Sequence, residues 1–444
     1  MQEELLEKIL DDVAAFVAEK QKEKKWQPGV DWVRYAGPMF DTEEYTAAVK
    51  TLLRGWLVLG TDGTRFERQF PAYLGKEHGV LVNSGSSANL LMLAAVKHRD
   101  YYRSTNVWTA AAGFPTTFNP IIQNGFYPII LDVDLETFNI DLQKLDDITR
   151  THDLRGEMIM FAHPLGNPPN MDDLMDIANR RNFTVLEDCC DALGSTWKGK
   201  PLGSFGRMAS CSFYPAHHIT MGEGGFVACK DKEDERILRS LREWGRGCYC
   251  QGEKANLLKQ GTCGCRFSNW IPELPNEIFD HKYVYETIGY NLKPIELQAS
   301  MGLAQLKKLP EIIEKRKANH AALYKVFEKY SDDFILPKAT PGADPAWFAF
   351  ALTIKDGAKF KRADIIDFLE SRKIQTRPFF AGRIMKQPAY KNVNAWQLSA
   401  PNATKIMKDT FFLGTSPVIT QEQINYIEET VAEFYKTVRL DILK

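Results

Sequence analysis

Seven short apolar runs, HGVLVNSG, NVWTAAA, YPIILDVD, GEMIMFAH, FTVLEDCC, MASCSFYP and GFVAC, recur in that order between residues 78 and 229. Several are almost continuously hydrophobic, the pattern of strands buried on both faces of a mostly parallel sheet. The stretches between them, SSANLLMLAAVKHRD and MDDLMDIANRRN among them, carry helical periodicity. Parallel neighbours need crossover connections, so repeated βαβ units are the economical reading and the chain belongs to the α/β class.

The alternation fades after about Ala228. From Pro294 a long helical pattern runs to Tyr330 and is expected to break or kink at Pro310. Short strands (WFAFALTI) and helices (ADIIDFLESR, INYIEETVAEFYKTVRL) follow it. The 444 residues therefore divide into an N-terminal helix and connector over 1–37, a large α/β domain over 38–293 and a smaller α+β domain over 294–444. A composition of 44% hydrophobic and 25% charged residues supports a buried core, and a net charge of -1 with both signs interspersed gives no electrostatic case for nucleic acid or an anionic membrane. No apolar stretch reaches the ~18 residues of a spanning helix, and the N-terminus is amphipathic and charge-studded, unlike a signal sequence. A cytoplasmic protein is expected.

Three segments carry chemistry. VNSGSSANLL at 82–91 places Ser-Gly-Ser-Ser between a strand and a helix. There, small residues and oriented N–H groups suit a phosphate, although a serine-rich N-cap without a ligand would read the same way. VLEDCCDALGS at 185–195 ends a strand in Glu187 and Asp188 and runs on to Asp191. A carboxylate at the carboxyl end of such a strand faces the ligand crevice and can keep a heteroaromatic nitrogen protonated; a capping Asp is the bland alternative. The third segment is SCSFYPAHHITMGEGGFVAC at 210–229.

That third segment resembles the cofactor-attachment segment of the nucleotide-sugar aminotransferases in the aspartate-aminotransferase superfamily. FERQFPAYLG, SGSSANLL, AAGFPTTFNPIIQNG, LEDCCDALGS, SFYPAHHITMGEGG and GYNLKPIELQASMGLAQL all resemble family segments in the same order. The resemblance implies the pyridoxal-phosphate-dependent transferase fold of the aspartate aminotransferase type and a homodimer. Asp188 would pair with the pyridinium nitrogen and Phe114 would stack on the ring. Gly85, Ser86, Ser87 and Ser212 would cradle the phosphate, and Asn291 would reach the cofactor of the partner subunit. Where the family keeps a lysine bonded to the cofactor, this chain has His217. Histidine cannot form that bond, so the cofactor would be held non-covalently, as pyridoxamine phosphate, with His217 as general base. His218 reads as structural.

Eight cysteines in a long chain without a secretory signal argue against a disulfide framework. Cys190, Cys248, Cys250 and Cys263 resemble the four-cysteine pattern of the CDP-6-deoxy-hexulose 3-dehydrases, a histidine-containing branch that carries a 2Fe-2S cluster. Fifty-seven residues separate the first two, one separates the next two, and twelve the last two, the final gap being longer than in the pattern. Cys189 is an alternative to Cys190. The local C-x-C…C-x-C of Cys248, Cys250, Cys263 and Cys265 is also a zinc pattern. Cys211 and Cys229 read as buried small apolar residues.

The resemblance implies dehydration at C3 of a nucleotide-4-keto-6-deoxyhexose, CDP-linked, in 3,6-dideoxyhexose biosynthesis. By the same resemblance a separate flavin and iron–sulfur reductase would supply electrons; no G-x-G-x-x-G follows a strand-like run in this chain. Two alternatives stay open: a cluster-free 3-dehydratase that regenerates its cofactor with glutamate, and a non-catalytic cofactor-binding sensor.

Overall fold

A computed structural model describes residues 1–22, 25–99, 105–152, 154–248, 250, 255 and 257–442. Each of the seven apolar runs is a strand: β1 (His78–Val82), β2 (Asn106–Ala110), β3 (Tyr127–Leu131), β4 (Met158–Ala162), β5 (Thr184–Asp188), β6 (Met208–Ser212) and β7 (Gly225–Cys229). They form one sheet in the order β1-β7-β6-β5-β4-β2-β3. β2 to β6 run parallel to one another, and β7 runs against the rest, pairing antiparallel with β1 on one side and β6 on the other.

Alternate residues of each strand enter two cores, one on each face of the sheet. Met158 and Met160 of β4 point into one, Ile159 and Phe161 into the other. The helices over this part of the chain are α1 (Gln2–Lys22), α2 (Thr42–Arg54), α3 (Thr61–Gln69), α4 (Gly85–Arg99), α5 (Pro115–Gln123), α6 (Leu142–Thr151), α7 (Met171–Arg181) and α8 (Lys232–Arg242). Their ends follow local chemistry. Asp41 and Glu44 form a capping box at the start of α2, and Gly55 closes that helix at φ 76°. Asn170 caps α7 by accepting from the amides of Asp172 and Asp173. Neither these nor the later helices, among the described residues, are long and apolar enough to cross a membrane.

α9 (Glu296–Glu328) is one continuous helix, not the broken one expected at Pro310. The proline removes a single N–H, and its neighbours Leu306, Leu309 and Ile312 are buried against the large sheet, which holds the helix across the missing bond. Farther along, Leu323, Val326 and Phe327 of the same helix enter a third core. That core backs an antiparallel sheet of β8 (Phe334–Ile335), β9 (Ala349–Ile354) and β10 (Arg377–Pro378), completed after β11 (Trp396–Gln397) and α11 (Pro401–Asp409) by β12 (Thr410–Gly414). α10 (Arg362–Ser371) and α12 (Gln421–Ile442) pack on it. β11 instead joins the large sheet beside β3.

A buried charge cluster fixes the strand that leads into the Ser-Gly-Ser-Ser turn. Glu67 on α3 accepts from the Leu81 amide of β1 at 2.9 Å, from Arg239 at 2.7 Å and from Arg242 at 2.8 Å. Burial opposes ionisation of Glu67, but the two guanidinium groups outweigh it and hold the carboxyl below its usual range. Removing that charge would leave Arg239 and Arg242 with only the less buried Glu235 and Glu243 as carboxylate partners. Glu67→Gln is therefore expected to lower the unfolding free energy by about 3–5 kcal/mol, read from urea denaturation followed by fluorescence. A loss below about 1 kcal/mol would show that the arginines relax to solvent.

Candidate active site

The carboxyl ends of β4, β5 and β6 and the amino end of α4 converge on a cavity of about 1120 Å³. This is the crevice where open α/β sheets bind ligands. Gly85, Ser86, Ser87 and Ser212 lie on its wall, as do Phe114, Asp188, Cys190 and His217.

Asp188 and Glu187 are neighbours on β5, so the strand's alternation sends them to opposite faces. Glu187 turns away from the cavity and accepts from the amides of Gly203, Phe205 and Gly206 and from His163, a structural role. Asp188 turns toward it. One oxygen accepts from Asn89 and Thr117 at 2.7 Å each, and the other from the Cys190 amide at 3.1 Å and Ser210 at 3.3 Å. These donors are all neutral, so the carboxyl is held in place without a cation among them. That arrangement suits a protonated ring nitrogen in the cavity.

At the start of α4 the backbone comes close to β6. A Cβ on Gly85 would fall 2.4 Å from the Cβ of Ser212, 2.8 Å from its Oγ and 3.0 Å from the Cys190 Sγ, so no larger residue fits. Ser84 and Ser87 hydroxyls bond to each other at 3.0 Å, and Ser86 bonds to Thr116 at 3.1 Å. Small hydroxyl residues at a helix amino end give a cradle of the size and polarity a phosphate needs. Phe114 caps α5 on the same wall, half exposed and edge-on to Phe380 at 6.0 Å between ring centroids, which leaves a face available for a stacked ring. The residues present thus fit pyridoxal or pyridoxamine phosphate.

His217 follows β6 in a tight loop, its amide bonded to the Tyr214 carbonyl. Its Nδ1 lies 3.4 Å from Asp191 and has no hydrogen-bond partner among the described residues. Burial and the charge of Arg316 push its pKa down to about 3, so the imidazole is neutral at physiological pH. Asp191 is shifted oppositely, up to about 8, by burial and by Asp188. Arg316, fully buried on α9, donates to the carbonyls of Ala216 and His217 at 2.8 and 2.9 Å and of Phe348 at 3.1 Å. His218 is buried and bonds to the Ala346 carbonyl, away from the cavity.

Asn291 is exposed, in a segment that bridges to Glu243, and is not among the residues lining the cavity. Cys189, Cys211 and Cys229 are buried in the sheet region. The remaining thiols fall in two places. Cys190 sits against Gly85 on the cavity wall. Cys248 and Cys250 gather with His281, their ligand atoms within 4.8 Å of one another, and Cys263 lies 3.5 Å from the same imidazole. Cys190 is not part of that group. The intervening residues 251–254 and 256 lie outside the described residues.

Sequence reasoning missed Asp191 as a neighbour of His217, Arg316, and His281. Asn89 and Thr117, the donors to Asp188, were present in the SGSSANLL and AAGFPTTFN segments as letters without an assigned role.

The family model of the DegT/DnrJ/EryC1/StrS aminotransferases matches residues 38–432. The lipopolysaccharide biosynthesis protein RfbH of Salmonella typhimurium is 40% identical over 437 residues, covering 97% of this chain and 98% of that one. A dTDP-4-dehydro-2,6-dideoxy-D-glucose 3-dehydratase of Saccharopolyspora spinosa is 39% identical over 440 residues, covering 97% and 93%. Among solved structures, the Escherichia coli GDP-4-keto-6-deoxy-D-mannose-3-dehydratase with bound hydrated pyridoxal phosphate superposes with a TM-score of 0.78 at 28% identity, covering 90% of this chain and 99% of that one. The fold is that of the pyridoxal-phosphate-dependent aminotransferases, and the chain belongs to the DegT/DnrJ/EryC1/StrS aminotransferase family.

Proposed function

We propose that the chain catalyses C3 dehydration of a nucleotide-linked 4-keto-6-deoxyhexose with pyridoxamine phosphate as cofactor, the first half of a C3 deoxygenation leading to a 3,6-dideoxyhexose. The observation that carries this reading is His217, a neutral imidazole on the wall of the Asp188 cavity where the family resemblance places a lysine. Asp188, the first turn of α4, Ser212 and Phe114 hold the cofactor without a covalent tether. When bound, it supplies an amine that condenses with the sugar ketone and a ring that stores the electron pair released on deprotonation. His217, on the wall of the same cavity, is the side chain proposed to accept that proton. Asp191, 3.4 Å from the imidazole, is itself held protonated up to about 8 by burial and Asp188.

The cavity exceeds the ~300–1,000 Å³ of a site for one small ligand, which supports joint occupancy by cofactor and nucleotide sugar. Arg377, also on its wall and stacked over Tyr35 at 4.6 Å, brings a guanidinium suited to a diphosphate. CDP is the proposed nucleotide on the strength of the family resemblance alone; the 39% identical relative named for a dTDP-linked sugar makes dTDP the competing choice. Cys248, Cys250 and Cys263 would be among the ligands of a 2Fe-2S centre, which when bound supplies one-electron transfer. A separate flavin and iron–sulfur reductase is the proposed electron source. The enzyme would act as a homodimer in the cytoplasm. Likeness to the GDP-linked 3-dehydratase favours a second reading, a cluster-free enzyme that needs only an amino-acid donor.

Offered CDP-, dTDP- and GDP-linked 4-keto-6-deoxyhexoses with pyridoxamine phosphate, the protein is expected to release water fastest from the CDP sugar. Full turnover should require a reductant; turnover with glutamate alone would establish the cluster-free reading. His217→Asn should lower kcat about 10²–10⁴-fold while the cofactor absorbance stays, and an unchanged kcat would remove His217 from the base role.

The two shifted groups also set a pH dependence for the cofactor-free protein. His217 titrates lower folded than unfolded, so its contribution rises with pH from about 3 to ~6.5 and is then complete. Asp191 titrates higher folded than unfolded, so its contribution is full below ~4 and is lost as pH rises through about 8. Between ~6.5 and about 8 only the loss operates, and the melting temperature should fall; in Asp191→Asn that fall should vanish. A wild-type melting temperature that is flat across this window would contradict the assignment.

A further inference from the structure

The residues just ahead of Pro38, where the family match begins, are held against the smaller sheet. Val33 pairs with Ile374 in a parallel bridge: its amide donates to the Lys373 carbonyl at 2.8 Å, and its carbonyl accepts from the Gln375 amide at 2.9 Å. Two residues on, the Tyr35 amide donates to the Gln375 side chain at 3.1 Å. The Tyr35 backbone then crosses β12 where Gly414 has no side chain, and a Cβ there would collide with it. Ser416 donates to the Gly37 carbonyl at 3.0 Å. All of these bonds engage the backbone of the segment, and the Val33 side chain anchors it in the third core. Its path is therefore fixed before its other side chains are considered.

That path delivers Tyr35 to the wall of the cavity, while Arg34 beside it is exposed. The Tyr35 ring lies 6.1 Å from that of Phe412 and 4.6 Å from the Arg377 guanidinium, and Phe412 and Arg377 are themselves paired across β12 and β10. Arg377 is the only lysine or arginine among the described residues that line the cavity, whose wall otherwise holds the carboxyl groups of Asp188, Asp191 and Glu223. No carboxylate pairs with it among the described residues, and its guanidinium donates to the Thr376 carbonyl at 2.7 Å. A guanidinium stacked on an aromatic face keeps its remaining in-plane N–H groups for an anion, and the ring restricts where the long side chain can go.

We infer that Tyr35 is a positioning residue of the substrate site: its ring holds the Arg377 guanidinium in place to bind the diphosphate of a nucleotide-linked substrate, which makes the segment ahead of Pro38 a working part of the cavity. The inference rests on the proposed reading of the substrate as a nucleotide sugar. With the amino end of α4 left to the cofactor phosphate, Arg377 is the cation that the cavity wall offers a second anionic group. The carboxylates of an amino-acid donor carry the same kind of charge, so glutamate is the ligand to be told apart from a nucleoside diphosphate.

Binding is read by titration calorimetry on the full-length protein loaded with pyridoxamine phosphate, with CDP, dTDP, GDP and glutamate as probes. At least one nucleoside diphosphate should bind, and its affinity should fall at least about tenfold in Arg377→Ala. Tyr35→Ala should weaken the same probe by about threefold to thirtyfold, Tyr35→Phe should restore it to within about twofold, and Arg34→Ala should match the parent. When Tyr35→Ala is combined with Arg377→Ala, the loss due to the tyrosine should vanish, an outcome that a merely structural tyrosine would not give. Cofactor absorbance and melting temperature should stay at the parent's values; loss of cofactor from either single variant would place the pair at the cofactor phosphate and overturn the inference. A Tyr35→Ala loss of equal size in both backgrounds also overturns it, as does a loss confined to glutamate or a protein that binds none of the three nucleotides. The expected binding pattern in a protein that dehydrates no 4-keto sugar keeps the inference and removes the proposed reaction. Dehydration with an unchanged KM for the sugar in Arg377→Ala does the reverse.

Discussion

The guanidinium of Arg316 is the interaction on which the candidate site depends. It is 1% exposed, and its three hydrogen-bond acceptors are backbone carbonyls: Ala216 and His217 from the loop after β6, and Phe348 from the approach to β9. Burial lowers its pKa to about 10, which still leaves it cationic at neutral pH. Because α9 carries residues of two cores, this one side chain ties the His217 loop to the long helix and to the smaller sheet at once. Its charge also disfavours a proton on His217. Arg316 thus positions the loop that carries the imidazole and adds to the burial that chiefly keeps it unprotonated.

The other wall of the cavity is set by strand alternation and by crowding. β5 must send Glu187 and Asp188 to opposite faces, and each carboxyl meets a full complement of donors on its own side. Between β6 and α4 the missing side chain of Gly85 leaves a gap bounded by Ser212 and Cys190. The thiol of Cys190, whose pKa burial pushes far up, is a protonated packing group there, while its amide anchors Asp188. Cys190 thus helps to shape the cradle.

Much of this was legible in the sequence, for a physical reason. Gly85, Asp188 and His217 each lie in a short segment whose strand, turn and small residues fix where the side chain goes, so the letters carry the geometry. The direction of β7 was not legible, because an apolar run such as GFVAC has no polarity; only its pairing with β1 and β6 reveals it. Pro310 misled, since a local rule about a lost N–H was outweighed by burial on either side of it. Arg316 could not be found by pattern: in a helix rich in charged residues nothing marks the one that turns inward to meet carbonyls a hundred residues away.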